Sequence, residues 1–334
     1  MDKTQILRAA EYLKDRSQSI VMIMHTSPDG DAVGSSLAFY DYLLNAGYSN
    51  IHVIAPNPYA SFLHWIPHHD KVIIAEKEKE KAKDLISSAS ILFCLDFNGF
   101  SRVNHLEKVL RDSKGVKIMI DHHPGPESGF DLVFSDTDAS STAEMVYEFI
   151  AGLGDTEKIS LQAAQCLYVG IITDTGSFSY GCNNPRTYEI VARLIEKGVD
   201  GAHIHHLIYS TYTIDRMRLL GYCLSERLTV MPEYQVAFIA LSKEDLKKFN
   251  HQEGDTEGVV NYALAIRDIS LAVLFTEKNN YVKVSFRSVG DVDVNKLARN
   301  YYEGGGHKNA AGGKSFRSLE HTVTSFISLV KGSS

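Results

Sequence analysis

The sequence predicts an α/β protein: a parallel-sheet domain with helices on both faces, followed by a smaller α+β domain. Three observations carry this expectation. Residues 20–25 (IVMIMH), 91–96 (ILFCLD) and 116–121 (VKIMID) are strand-length apolar runs, continuous rather than alternating, as strands buried on both faces require. Helical patterns lie between those runs, which is the alternation of an α/β unit. Past residue 226 the texture changes to β-branched and aromatic runs interrupted by turn residues.

Taken in order, MDKTQILRAAEYLKDRSQSI reads as an amphipathic helix with charges throughout, not as a basic region followed by an apolar one. With no apolar run approaching 18 residues, neither secretion nor membrane spanning is expected. Residues 32–46 read as a helix closed by Gly47, and 76–87 as a charged helix. Ser141 and Glu144 have the spacing of a capping box, opening a helix to about residue 151. LQAAQCLYVGIITD (161–174) is long and alanine-rich, so it reads as a buried helix ending near Asp174, with a strand as the alternative. Asn184-Pro185 supplies a cap and a first-turn proline for a helix that stops at Gly198. A helical connector over 201–226 then separates a first domain (1–200) from a second (227–334). There RLTVMPEYQVAFIAL and ISLAVLFTEKNNYVKVSFRS read as a sheet of hairpins.

A chain of 334 residues is long enough for two cores, and its 44% hydrophobic and 22% charged residues exclude a disordered protein. Four cysteines without C-x-x-C spacing make neither a disulfide framework nor a zinc knuckle, so a reducing cytoplasm is the expected home. The net charge of −7 argues against a binder of long nucleic acid, which needs a basic face to release counterions. Residues 221–334 carry 14 Lys+Arg against 13 Asp+Glu, a net +1, leaving −8 for residues 1–220. Cations are the natural counter-charge for that acidic part.

Chemistry gathers at the strand ends. His25, Asp96 and Asp121 each stand at the C-terminal end of an apolar run, where open parallel sheets bind ligands. His25-Thr-Ser-Pro-Asp29-Gly-Asp31 offers an imidazole and two carboxylates within one sharp turn, although Asp31 could equally cap the next helix. Asp121-His122-His123-Pro124 adds an acid and two imidazoles, and Thr173-Asp174-Thr-Gly176 adds another carboxylate at what also reads as a helix C-terminus. Asp29, Asp31, Asp96 and Asp174 with two or three imidazoles are more ligands than one divalent ion uses. This oxygen-rich set favours two ions, manganese first, with magnesium or iron(II) as the other fits, over a structural zinc. Two ions about 3.5–4 Å apart can ionise a water and clamp a phosphoryl group. Hydrolysis of a phosphate ester is the reaction this chemistry suits.

In this order, H-x-x-P-D-G-D, an Asp after an apolar strand, D-H-H and T-D-T-G resemble the four motifs of the DHH phosphoesterase family. Glu303-Gly304-Gly305-Gly306-His307-Lys308-Asn-Ala-Ala-Gly312-Gly313 resembles the glycine-rich signature of the DHHA1 domain that follows DHH in many members. Glu303 departs from the pattern, since many members carry another glycine there. Length and the segment VSFRSVGDVDVNKLA are most similar to the stand-alone bacterial nanoRNases within this family. That resemblance implies cleavage of RNA of two to five nucleotides and dephosphorylation of 3′-phosphoadenosine 5′-phosphate, with a homodimer as the assembly. It also implies a ligand set: His25, Asp29 and Asp96 for one ion, and Asp31, Asp96, His122 and Asp174 for the other, Asp96 bridging. His123 would meet the scissile phosphate or protonate the leaving oxygen, with Asp121 orienting its neighbours.

In the second domain the glycine triplet 304–306 can let backbone N–H groups approach an anion, with His307 adding a donor. Arg287, followed by Ser288, can grip a phosphate bidentately, though a strand arginine is often a solvated ion pair. The resemblance implies an active site in the cleft between the domains. Two rivals share these motifs: a phosphodiesterase of cyclic di-AMP or linear dinucleotides, and a nucleotide-binding module without turnover.

Overall fold

The computed structural model describes residues 1–332, in two compact units divided between Thr211 and Tyr212. Twelve strands, in chain order, are β1 Ile20–Met24, β2 Ile51–Ala55, β3 Val72–Ile74, β4 Ile91–Leu95, β5 Val116–Asp121, β6 Leu132–Ser135, β7 Leu228–Met231, β8 Val236–Leu241, β9 Leu271–Glu277, β10 Val282–Ser288, β11 Gly305–Gly306 and β12 Ala310–Ser315. The helices of the first unit are α1 Lys3–Tyr12, α2 Gly30–Asn45, α3 Lys79–Ser88, α4 Glu107–Asp112, α5 Thr142–Gly152, α6 Leu161–Asp174, α7 Pro185–Glu196 and α8 Gly201–Tyr209. Those of the second are α9 Ile214–Tyr222, α10 Lys243–Lys248, α11 Val259–Leu264, α12 Val294–Tyr301 and α13 Leu319–Gly332.

The first unit holds a six-stranded, all-parallel sheet in the order β3-β2-β1-β4-β5-β6. Side chains alternate along β1: Ile20, Met22 and Met24 join the core shared with α2, α5 and α6, while Val21 and Ile23 join the opposite core with α3 and α4. Both faces are therefore covered, which is why these runs are continuously apolar. Strand order reverses between β1 and β4, the position where such sheets open a crevice at their C-terminal ends.

Residues 161–174 are a helix, as the alanine-rich pattern suggested. Its contact with α2 is close: a Cβ at Gly34 would lie 2.5 Å from the Cys166 carbonyl oxygen and 2.8 Å from the Gly170 nitrogen. Both obstacles are backbone and cannot rotate away. Gly34→Ala is thus expected to lose about 1–3 kcal/mol to overpacking, more than the roughly 1 kcal/mol that alanine gains in helix propensity. A melting point lowered by several degrees checks this; an unchanged or raised one contradicts it.

Two local readings are refined. The helical connector expected over 201–226 consists of α8 and α9, separated at Ser210–Thr213, where Thr213 takes extended backbone and its side chain caps Arg216 to start the second helix. Ser141 accepts from the Glu144 N–H as a capping box predicts, but the Glu144 carboxylate accepts from the Ser140 N–H and hydroxyl instead of completing the box.

The second unit is a mixed sheet in the order β11-β12-β10-β9-β8-β7. Hairpins join β7 to β8 and β9 to β10, yet β8 and β9 run parallel. The chain between them, 242–270, contains α10 and α11, and a crossover of that length is what parallel neighbours need. One face packs on α12 and α13, the other on α9 and α11.

Candidate metal centre

The sequence places ligand-type residues at strand ends, and the sheet brings them together. His25 follows β1, Asp96 follows β4, and Asp121 ends β5, so two of the three flank the point of strand reversal. Asp96 is the middle of the cluster. Its Oδ2 lies 3.3 Å from His25 Nε2, and its Oδ1 lies 3.9 Å from His122 Nε2 and 3.8 Å from His123 Nδ1. Asp96 has φ +64, a left-handed conformation that aspartate tolerates better than most residues and that aims its carboxylate off the strand.

Asp29, Asp31, Asp96 and His122 are each fixed by a hydrogen-bond partner. Asp29 caps α2, accepting from the Asp31 and Ala32 N–H groups, and comes within 3.9 Å of His25 Nε2. Asp31 is buried, and its carboxylate accepts from the N–H groups of Thr142 (2.6 Å) and Ala143 (2.9 Å) at the start of α5. The Thr142 hydroxyl donates to Asp96 Oδ1 at 2.9 Å. His122 Nδ1 is 3.2 Å from the Ala139 carbonyl, so it donates there and leaves Nε2 facing Asp174 Oδ2 (3.4 Å) and Asp31 Oδ2 (3.8 Å). The Asp121 carboxylate receives both the backbone N–H and Nδ1–H of His123, which fixes that ring. On the other side, Ser27 is held in a left-handed conformation with its N–H donating to Asn57 Oδ1 at 2.7 Å.

Charge shows what the cluster needs. Burial pushes the Asp31 carboxyl well above the carboxylate range, and the neighbouring Asp96 and Asp174 push it further. Burial likewise raises Asp174 to about 6, against an opposing effect of His122. Asp96 goes the other way: despite burial, His25 and the two following imidazoles hold it below the usual range. Burial works against charge on His25 and His122, but Asp96 and Asp29 for the first, and Asp174 and Asp96 for the second, raise both. Buried carboxylates this close repel one another, and divalent cations relieve that repulsion. The donor sets fit: atoms of His25, Asp29 and Asp96, and of Asp31, Asp96 and His122, lie within 4.8 Å of one another. Thr142, Ala139 and Asn57 were not among the sequence candidates; the S-x-x-E signal pointed to the start of α5 without saying what it would face.

The candidates of the second unit gather at one end of its sheet. Arg287 pairs in register with Ala310, and the Ser288 N–H donates to the Asn309 carbonyl. The Arg287 guanidinium donates to the Phe286 carbonyl, and the Ser288 hydroxyl is engaged with Val292 and Asn309. Gly305 and Gly306 pair with Gly312 and Ala311, and His307 N–H donates to the Ala310 carbonyl. A Cβ at Gly304 would collide with the Gly312 carbonyl, and one at Gly306 would lie 2.5 Å from the Ala310 oxygen. Packing of β11 on β12 therefore already requires small residues here.

Comparison with known proteins adds the relationship. The DHH family, N-terminal domain, matches residues 19–171, and the DHHA1 domain matches residues 232–331. The chain is 29% identical over 315 residues to the bifunctional oligoribonuclease and PAP phosphatase NrnA of Bacillus subtilis, covering 93% of this chain and 92% of that one. It is 30% identical to the NrnA protein of the same description from Thermus thermophilus, covering 91% and 86%. Among solved structures, an exopolyphosphatase-related protein from Bacteroides fragilis superposes with a TM-score of 0.93 at 37% identity, covering 99% of this chain and 96% of that one.

Proposed function

Because this chain belongs to the DHH phosphoesterase family and carries its DHHA1 domain, we propose that it hydrolyses short oligoribonucleotides to mononucleotides and 3′-phosphoadenosine 5′-phosphate to AMP. The observation that carries the reaction class is the convergence of Asp31, Asp96, His122 and Asp174 beside His25 and Asp29 at the strand reversal. His25, Asp29 and Asp96 would hold one divalent ion, and Asp31, Asp96, His122 and Asp174 a second, with manganese favoured by the oxygen-rich set. When bound, such ions supply Lewis acidity toward a phosphoryl oxygen and lower the pKa of water.

The chain's own groups do the rest. Asp121 holds the His123 ring by its Nδ1–H, so Nε2 would be the nitrogen that meets the scissile phosphate or gives a proton to the leaving oxygen. Arg287, the 304–306 loop and His307 would bind nucleotide and non-scissile phosphate. Ser288, whose hydroxyl is committed to Val292 and Asn309, would serve by holding that turn. The choice of substrate is supported by the names of the two NrnA relatives, which align with most of this chain. No helix among the described residues is long and apolar enough to cross a membrane.

The test is a comparison of turnover with manganese on RNA of two to five nucleotides, longer RNA, cyclic di-AMP and 3′-phosphoadenosine 5′-phosphate. Rates are expected to fall steeply with RNA length and to be substantial on the bisphosphate. Exclusive action on cyclic di-AMP, or no action on any of these, overturns the proposal.

A further inference from the structure

The two groups of ligand candidates are supported from different parts of the chain. His25 and Asp29 are held by their own loop: His25 Nδ1–H donates to the Thr26 carbonyl, Asp29 caps α2, and Asn57 steadies Ser27 between them. Asp31 and His122 instead lean on one short segment, 136–143. Ala139 receives His122, while Thr142 and Ala143 donate to Asp31. Asp96 is shared, and its oxygens divide accordingly: Oδ2 faces His25, whereas Oδ1 takes the Thr142 hydroxyl and faces His122.

That segment is itself tied down by a carboxylate with no exposure at all. Glu144 Oε2 accepts from the Ser140 hydroxyl (2.6 Å) and N–H (3.2 Å) and from the Thr187 hydroxyl (2.7 Å), and Oε1 accepts from Arg186 Nε at 2.7 Å. Arg186 also reaches Asp136 Oδ2 at 3.1 Å, so one guanidinium from the start of α7 grips both ends of the segment. A buried charge is retained where its partners are complete, and here Ser140 and, through Asp136, Arg186 tie Glu144 to the ligand-bearing stretch, while Arg186 also meets Glu148 at 3.2 Å.

We propose that Glu144 and Arg186 are positioning residues for one of the two ions only: the one held by Asp31, His122 and Asp174. This rests on the two-ion reading above. They set where the Ala139 carbonyl and the first N–H groups of α5 stand, and through those the aim of His122 Nε2 and of the Asp31 carboxylate. Among the described residues, no hydrogen bond or ion pair of Glu144 or Arg186 reaches His25 or Asp29.

The experiment is manganese titration of the full chain, followed by the electron paramagnetic resonance signal of free ion, for wild type, Arg186→Met, Arg186→Lys and Ser140→Ala. Melting points of the metal-free proteins are taken alongside. Wild type should show two dissociation constants. In Arg186→Met one of them rises about 10–100-fold, as for other lost supports of metal ligands, while the other moves less than about twofold. Arg186→Lys, which keeps a cation beside Glu144, recovers part of that loss, and Ser140→Ala gives a smaller shift of the same constant. Combining Arg186→Met with Asp29→Asn, which removes a ligand of the other ion, should leave only the weakened site. A role confined to stability would lower melting points without splitting the two constants. Both constants moving together, or neither moving in any variant that folds, overturns the proposal while leaving the two-ion reading intact. Wild type binding fewer than two ions overturns that reading and this inference with it.

Discussion

Asp96→Asn is expected to reduce turnover of a dinucleotide by at least about 10³-fold, the upper end of what loss of a single electrostatic contact costs at an active site. Asp96 alone faces both halves of the cluster, with Oδ2 toward His25 and Oδ1 toward Thr142, His122 and His123. On the proposed two-ion reading, removing its charge should weaken both ions at once, unlike the loss of any other candidate ligand. Asparagine is the informative replacement for two reasons. It tolerates the left-handed backbone at φ +64, and its side-chain oxygen can still accept from the Thr142 hydroxyl. Asp96→Ala would add about 1–2 kcal/mol of backbone strain and confuse stability with chemistry. Kinetics with saturating manganese, beside a melting point near that of wild type, make the measurement. Activity within tenfold of wild type would remove Asp96 from the bridging position.

The candidate ligands were legible as a group because parallel strands put their C-terminal ends on one edge. An Asp or His directly after a continuous apolar run is thereby placed without knowing the strand order. What the sequence could not reveal was adjacency. Only the sheet puts β1 beside β4, and so His25 beside Asp96. The supports were less visible still. Asp31 is held by the N–H groups of Thr142 and Ala143, 111 and 112 residues away, and His122 by the Ala139 carbonyl. Backbone groups leave no signature in residue type, so no reading of the sequence singles them out. The same holds for the second unit, where hairpin-like runs hid a parallel β8–β9 pair that only the intervening α10 and α11 make possible. Conversely, the glycine triplet was conspicuous in sequence for its freedom, while in the fold Gly304 and Gly306 satisfy close packing on β12.

Stripping divalent ions with a chelator is expected to stop turnover and to destabilise the protein increasingly as pH rises from 5 to 8. The sign follows from the cluster's protons. Asp31 and Asp174 bind protons more tightly in the folded chain than their ordinary value of 3.8, Asp174 reaching about 6, chiefly because burial disfavours their charge. Stability from such groups is complete below about pH 4 and is lost as pH rises through the folded value. His25 and His122, raised above 6.5 by their carboxylate neighbours against the effect of burial, act in the same direction at higher pH. Asp96 opposes them, but its folded value lies below 3.8, so its contribution is already complete above pH 5. The metal-free protein therefore loses stability across this range. With ions the dependence reverses, since binding must displace those same protons and tightens as they leave. At an ion concentration of 100 times the dissociation constant the stabilisation is about 2.7 kcal/mol, and it grows as that constant falls. Thermal melts at pH 5, 6, 7 and 8, with manganese and with chelator, should diverge steadily. Parallel curves would mean that Asp31 and Asp174 do not change protonation between pH 5 and 8, so that ion binding there displaces no proton from them.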